Sequence, residues 1–227
     1  MATLDPQTII DQMTFTQRLI YGVADWGRVK ISRLQSDLLS MRVKAYNDEL
    51  TIQAQHAGCG GRVGRLTNAD ITERLSQDSQ RDAESIANTH NYFLAVEILR
   101  VGETPTGPVR RVLPVLRVPE YIRAIKAWSE NYWAFKKPQI TMMTDNSART
   151  RAQQDFYIQN RGIAGTAKLE PTSAVCPICL GWIARGIVPL RVALNNPPPY
   201  HIGCPHGWNT RPDKVAREDC PLLWMGS

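Results

Sequence analysis

Cys176-Pro177-Ile178-Cys179, twenty-one connecting residues, then His201-Ile202-Gly203-Cys204: nothing else in the chain specifies chemistry so narrowly. Two soft sulfur donors two residues apart, answered by a second pair of the same spacing, form a four-ligand set suited to tetrahedral Zn²⁺. A tight turn lets both thiolates of the first pair reach one ion. The return pair follows Asn195-Asn196-Pro197-Pro198-Pro199, a stiff segment that needs neither helix nor sheet. With four protein donors no position stays open for water or substrate, so the reading is a structural zinc, not a catalytic one. His206, in Cys204-Pro205-His206, is the alternate fourth ligand; His201 is preferred because its spacing to Cys204 repeats that of the first pair. The plain alternative is a small apolar core with free thiols and one surface histidine. A redox Cys-x-x-Cys calls for a helix start within a βαβ pattern, and no parallel-strand pattern surrounds this one.

Outward from this stretch, the chain changes character near residue 165. Upstream it is mainly α. From Asp5 to about Gln55 apolar residues recur at steps of three and four (Ile9, Ile10, Met13; Leu19, Ile20, Val23, Trp26; Leu34, Leu38, Leu39, Val43), with Gly22 and Gly27 as breaks. A second long helix is expected from Asn68-Ala69-Asp70 to about Arg100, with Thr67 or Asn68 as N-cap. Residues 101–119 hold Pro105, Pro108, Pro114 and Pro119 and read as an arm or linker. Helix returns at Pro119-Glu120, and a further helix is expected from Pro138 to Gln159. Beyond Gly165, proline, glycine and short β-prone runs (Ile183, Ile187-Val188, Leu190-Val192-Leu194) replace the helical pattern. The expected organisation is a long-helix body, 1–165, followed by a small irregular or β zinc-knuckle module with a tail, 166–227. A module that small needs a metal staple, because it cannot bury enough apolar surface alone.

The chain has 227 residues, 43% apolar and 21% charged, within the range of a folded protein. No run approaches the roughly 20 apolar residues of a membrane span, and no basic segment leads into an apolar stretch at the N-terminus. Assembly in a cytosol, without a membrane partner, is the expectation. Net charge is +6, and residues 101–165 hold ten Lys or Arg against five acids. Such a segment meets nucleic acid or an acidic surface, or is simply a solvated helix face.

Other features carry less chemistry. His56-Ala57-Gly58-Cys59 repeats the ligand spacing without a partner pair nearby, and Cys220 reads as a tail thiol. Asp70, Glu73, Asp78, Asp82 and Glu84 alternate with Arg74 and Arg81, as on a solvated face. The glycine-rich 58–65 lacks the Lys-Ser/Thr of a phosphate loop. Thr144-Asp145-Asn146-Ser147 falls within a helix and reads as a polar contact between helices. With no nucleophile–base–orienter arrangement, a non-enzyme is expected.

Three blocks share a pattern: Thr144-Asp145-Asn146-Ser147-Ala148-Arg149, then Tyr157 to Gly162 leading to Cys176-Pro177-Ile178-Cys179-Leu180-Gly181, then Pro197-Pro198-Pro199-Tyr200-His201-Ile202-Gly203-Cys204-Pro205-His206. Over about a third of the chain this resembles the phage head-morphogenesis family, the Mu F-like minor head proteins. Asp145 stands where that family usually has Glu, Ile202 where it has Pro, and His206 where it has its last Cys. The resemblance implies a structural virion protein of a tailed phage, at the capsid, portal or neck. It would be made in the bacterial host cytoplasm and oligomeric among other virion proteins. The alternative is a zinc-containing nucleic-acid-binding regulator.

Overall fold

The computed structural model describes residues 5–13, 17–18, 21–22, 29–58, 69–102, 118–159, 164–169, 176–198 and 206–213. A one-turn helix α1 (Gln7–Ile10) precedes three long helices, α2 (Ile31–His56), α3 (Ala69–Gly102) and α4 (Val118–Gln159). There follow β1 (Gly165–Leu169), α5 (Pro177–Ala184), β2 (Ile187–Pro189), α6 (Leu190–Leu194) and β3 (Trp208–Pro212). The strands form one antiparallel sheet in the order β2-β1-β3, with Ala167 opposite both Val188 and Thr210. The fold is therefore mainly helical with a small C-terminal sheet. No helix among the described residues is long and apolar enough to cross a membrane.

The burial pattern explains the helices. On α3 the buried positions Ile71, Leu75, Ser79, Ala83, Ala87, His90, Leu94 and Ile98 form an unbroken run of three- and four-residue steps, with Ala95 buried beside them. On α2 the stripe that includes Leu38 continues through Ala45, Tyr46, Glu49, Leu50, Gln53 and Ala54. The many alanines at these positions let helix backbones come close.

Three expectations are corrected. The helix break at Pro138 does not occur; α4 runs through it as one helix. A proline there removes the N–H that would reach the Ala134 carbonyl. Both residues lie on the exposed face, where water can serve that oxygen. Leu190–Leu194 is helical, not extended: Pro189 ends β2 and fixes a backbone angle suited to starting α6. Two strands, β1 and β3, lie where no strand was expected. The arm at 101–119 falls largely outside the described residues, as do Thr67, Asn68, Cys59 and Cys220.

The chain divides into two compact units, residues 1–36 with 80–136 and residues 37–79 with 137–227. The sheet is packed with helix in the second of these units. In the second unit Tyr46, Leu50, Ala54 and Ala57 of the α2 region, Ile71 and Leu75 of α3, and Ala152 and Phe156 of α4 share one core. Ala167, Leu169, Cys179, Val188, Leu190 and Trp208 of the C-terminal segment belong to it too. Tyr46, Leu50 and Phe156 are fully buried, each stabilising by roughly 2 kcal/mol or more. In the first unit Met13, Leu94, Ala95, Ile98 and Ile125 form a separate core.

Gly165 opens β1 opposite Pro212, and a Cβ there would stand 2.5 Å from the Arg211 carbonyl oxygen. Only glycine allows this close strand approach.

Candidate functional site

The first cysteine pair sits at the start of a helix. Cys176 is the N-cap of α5 and Pro177 its first residue, an arrangement that favours initiation. The Cys179 N–H donates to Cys176 Sγ at 3.4 Å, and the Leu180 N–H donates to the Cys176 carbonyl at 2.9 Å. A sulfur receiving a backbone N–H at a helix N-terminus is favoured as the thiolate, the form a metal needs. The two Sγ atoms are 3.2 Å apart, too far for a disulfide bond and roughly half an ångström closer than two thiolates on one tetrahedral zinc, so the pair would open slightly to hold the ion. Cys176 is half-buried and Cys179 buried. The pair fits one half of a closed thiolate site.

The return pair, His201 and Cys204, lies outside the described residues. Its flanks are described, and they are tied to the first pair. The Trp208 indole Nε1 donates to the Asn196 carbonyl at 3.0 Å, closing the segment between them. The Trp208 ring meets Trp182 of α5 edge-on, with centroids 5.5 Å apart. Arg185, at the end of the same helix, lies 4.3 Å over the Trp182 ring. The helix carrying Cys176 and Cys179 is thereby fixed against the strand that leaves the return pair. His206 is buried, at 1% exposure. Among the described residues no group of three or more His, Cys, Asp or Glu comes together to hold a metal.

A polar network absent from the sequence expectations lies in the same unit. Glu49 on α2 accepts from Gln53 Nε2 at 2.6 Å, from Gln153 Nε2 at 2.8 Å and from Arg149 Nη1 at 3.2 Å. Arg149 Nε also donates to Asp145 at 2.7 Å. Gln153 Nε2 donates again to the Trp208 carbonyl at 2.9 Å, and the Tyr157 hydroxyl donates to Gln53 Oε1 at 3.0 Å. Burial pulls the Arg149 pKa down, but Asp145 and Glu49 outweigh it and hold the guanidinium more firmly charged. Burial pushes the Tyr157 phenol above its ordinary value. Of the stretch 144–147, Asp145 is bonded within α4 to Arg149, and the contact with α2 is made by Arg149 itself. Glu49, Gln53 and Gln153 carried a readable signal: each continues the buried step pattern of its helix, which a count of apolar residues alone passes over.

A second buried pair binds Tyr46 to α4, its hydroxyl donating to Asp155 at 2.8 Å, with Arg74 3.8 Å from the same carboxylate. Arg151 lies 3.9 Å from Asp78. These partners make Asp78, and both Arg149 and Arg151 of the basic segment, part of the packing between helices. No protein-family model, curated protein or solved structure matches this chain.

Proposed function

We propose that the chain is a structural, non-enzymatic virion protein of a tailed bacteriophage, acting in head morphogenesis or connector assembly at the capsid, portal or neck. A structural Zn²⁺ would be held by Cys176, Cys179, His201 and Cys204, with His206 as the alternate fourth ligand. The observation that carries the metal reading is the tie from Trp182 through Trp208 to Asn196, which anchors both flanks of the return pair to the helix bearing the first pair. The zinc would order the C-terminal segment and supply folding free energy, roughly 10 kcal/mol in small zinc modules.

The phage reading rests on the resemblance of three sequence blocks. In its support, the described parts of all three blocks belong to one compact unit. The Arg149 of the first block is engaged in holding helices together rather than presented as a free catalytic group. The nucleic-acid alternative loses ground for the same reason, since Arg149 and Arg151 both have carboxylate partners.

Two measurements test the proposal separately. Metal analysis of protein purified without chelator should return about one zinc per chain; a value near zero removes the metal reading. Peptides of this chain should appear in mass spectra of gradient-purified tailed particles from the source culture. Their absence from particles whose portal and capsid peptides are abundant removes the virion reading.

A further inference from the structure

The Glu49 network borders a pocket of about 180 Å³, lined among others by Glu49, Ile52, Gln53, Arg149, Gln153 and Trp208. Every lining residue belongs to the second unit. Gln153 is 4% exposed, and its Oε1 has no hydrogen-bond partner. The amide orientation is fixed by chemistry: Nε2 faces the Glu49 carboxylate and the Trp208 carbonyl, both acceptors, so a flip would set oxygen against oxygen. A buried acceptor left alone is unfavourable, so a donor in the pocket is favoured. Glu49 Oε2 receives only Arg149, and a carboxylate oxygen has room for a second donor. The charge balance agrees. Two carboxylates, Glu49 and Asp145, face one guanidinium, Arg149, leaving an excess of negative charge.

We propose that this pocket is a receptor site for an alkylguanidinium group, the head group of an arginine, donating one N–H to Gln153 Oε1 and another to Glu49 Oε2. A planar fork of N–H donors matches two separate acceptors better than the point charge of an ammonium does. Ile52 supplies an apolar wall for the methylene stem. The site is independent of both the zinc and the virion readings.

The test uses the full chain and N-acetyl-arginine amide as the probe. Backbone amide shifts of Trp208, Asn209 and Thr210 should move saturably with a millimolar dissociation constant. Butylammonium should bind more weakly, and urea more weakly still. Glu49→Gln should weaken the probe by about tenfold, the loss of one charge-assisted hydrogen bond. Because that change touches a buried network, a second variant guards against misfolding. A Cβ on Gly207 meets nothing closer than the Asn146 side chain at 3.6 Å, so Gly207→Met grows into the pocket without disturbing Glu49. It should abolish binding while leaving the melting temperature near that of the parent. Sedimentation distinguishes the source: if another copy of this chain supplies the arginine, the probe dissociates oligomers, and if a free compound does, sedimentation is unchanged. No saturable shift, urea binding as tightly as the probe, or binding intact in Gly207→Met would each overturn the proposal.

Discussion

The two compact units bury polar side chains in opposite ways. In the first, His90 is fully buried among aromatic rings: Trp133 stacked at 5.0 Å, Tyr132 edge-on at 4.9 Å and Trp128 tilted at 5.8 Å. Its Nε2 has no hydrogen-bond partner, and Nδ1 has only the Asn91 side chain at 3.4 Å. In the second, Glu49 is cross-bonded to Gln53, Gln153 and Arg149, and through Gln153 to the Trp208 carbonyl of β3. Ring packing is tolerant of small shifts, whereas directional bonds to a carboxylate fix one geometry. The second unit therefore has a specified register between α2, α4 and the sheet, and is the more sensitive to loss of a single group.

The largest effect expected is metal removal. Chelation should destabilise the second unit by several kcal/mol while leaving the first protected. Amide hydrogen exchange read separately at Leu169 and at Leu94 measures this contrast. Equal loss of protection at both would erase the distinction between the units, and no loss at either would remove the structural role of zinc.

Next in size is Glu49→Ala. It leaves donors of Gln53, Gln153 and Arg149 unmatched, two of them on residues at least 95% buried. Arg149 is a third exposed and recovers some hydration, so the expected cost is about 3 kcal/mol in urea unfolding. A cost below about 1 kcal/mol would mean that the network is not what sets the register. Gly165→Ala should cost about 2 kcal/mol, because the added Cβ meets backbone rather than a side chain able to move. Thermal melting of the variant checks it, and an unchanged midpoint would show that β1 and β3 separate at little cost.

Much of this organisation is legible in the residues, and the failures have physical causes. The long helices show in the three- and four-residue recurrence of Ile71, Leu75 and Leu94, and the Cys176–Cys179 turn shows in its spacing. Strand β1 does not show. Gly165-Thr166-Ala167-Lys168-Leu169 has little intrinsic strand preference, and pairing on both sides imposes its conformation. Strand β3 was concealed by Pro212, which an edge strand tolerates. Pro138 misled in the other direction, since the cost of a helical proline falls when the orphaned carbonyl faces water. The Glu49 network was hidden because its members are polar at core positions, where only partners distant in sequence make burial favourable. Gln153 and Glu49 are 104 residues apart. The second half of the proposed zinc set, His201 and Cys204, lies outside the described residues.

The smallest effect belongs to the first unit and concerns pH. Desolvation lowers the His90 pKa below its ordinary value, with the Asn91 contact only partly opposing it. A depressed histidine pKa means that the unfolded chain takes up a proton before the folded one does. Above the unfolded pKa both states are neutral at this site and His90 adds no pH dependence. As pH falls through about 6.5 the unfolded state gains the proton and stability declines, by at most about 1.4 kcal/mol per pH unit from a single group. The decline levels off once the folded state is protonated as well. His90→Phe keeps an aromatic ring among Trp128, Tyr132 and Trp133 and removes the titration. Urea unfolding of the parent and the variant across the acid range should show the parent losing stability relative to the variant as pH falls. Parallel curves would mean that the ring cluster accepts the imidazolium as readily as water does, with the faces of Trp133 and Trp128 stabilising the cation. In that case the first unit, like the second, would hold a buried charge by specific contacts, and the contrast between them would be one of geometry alone.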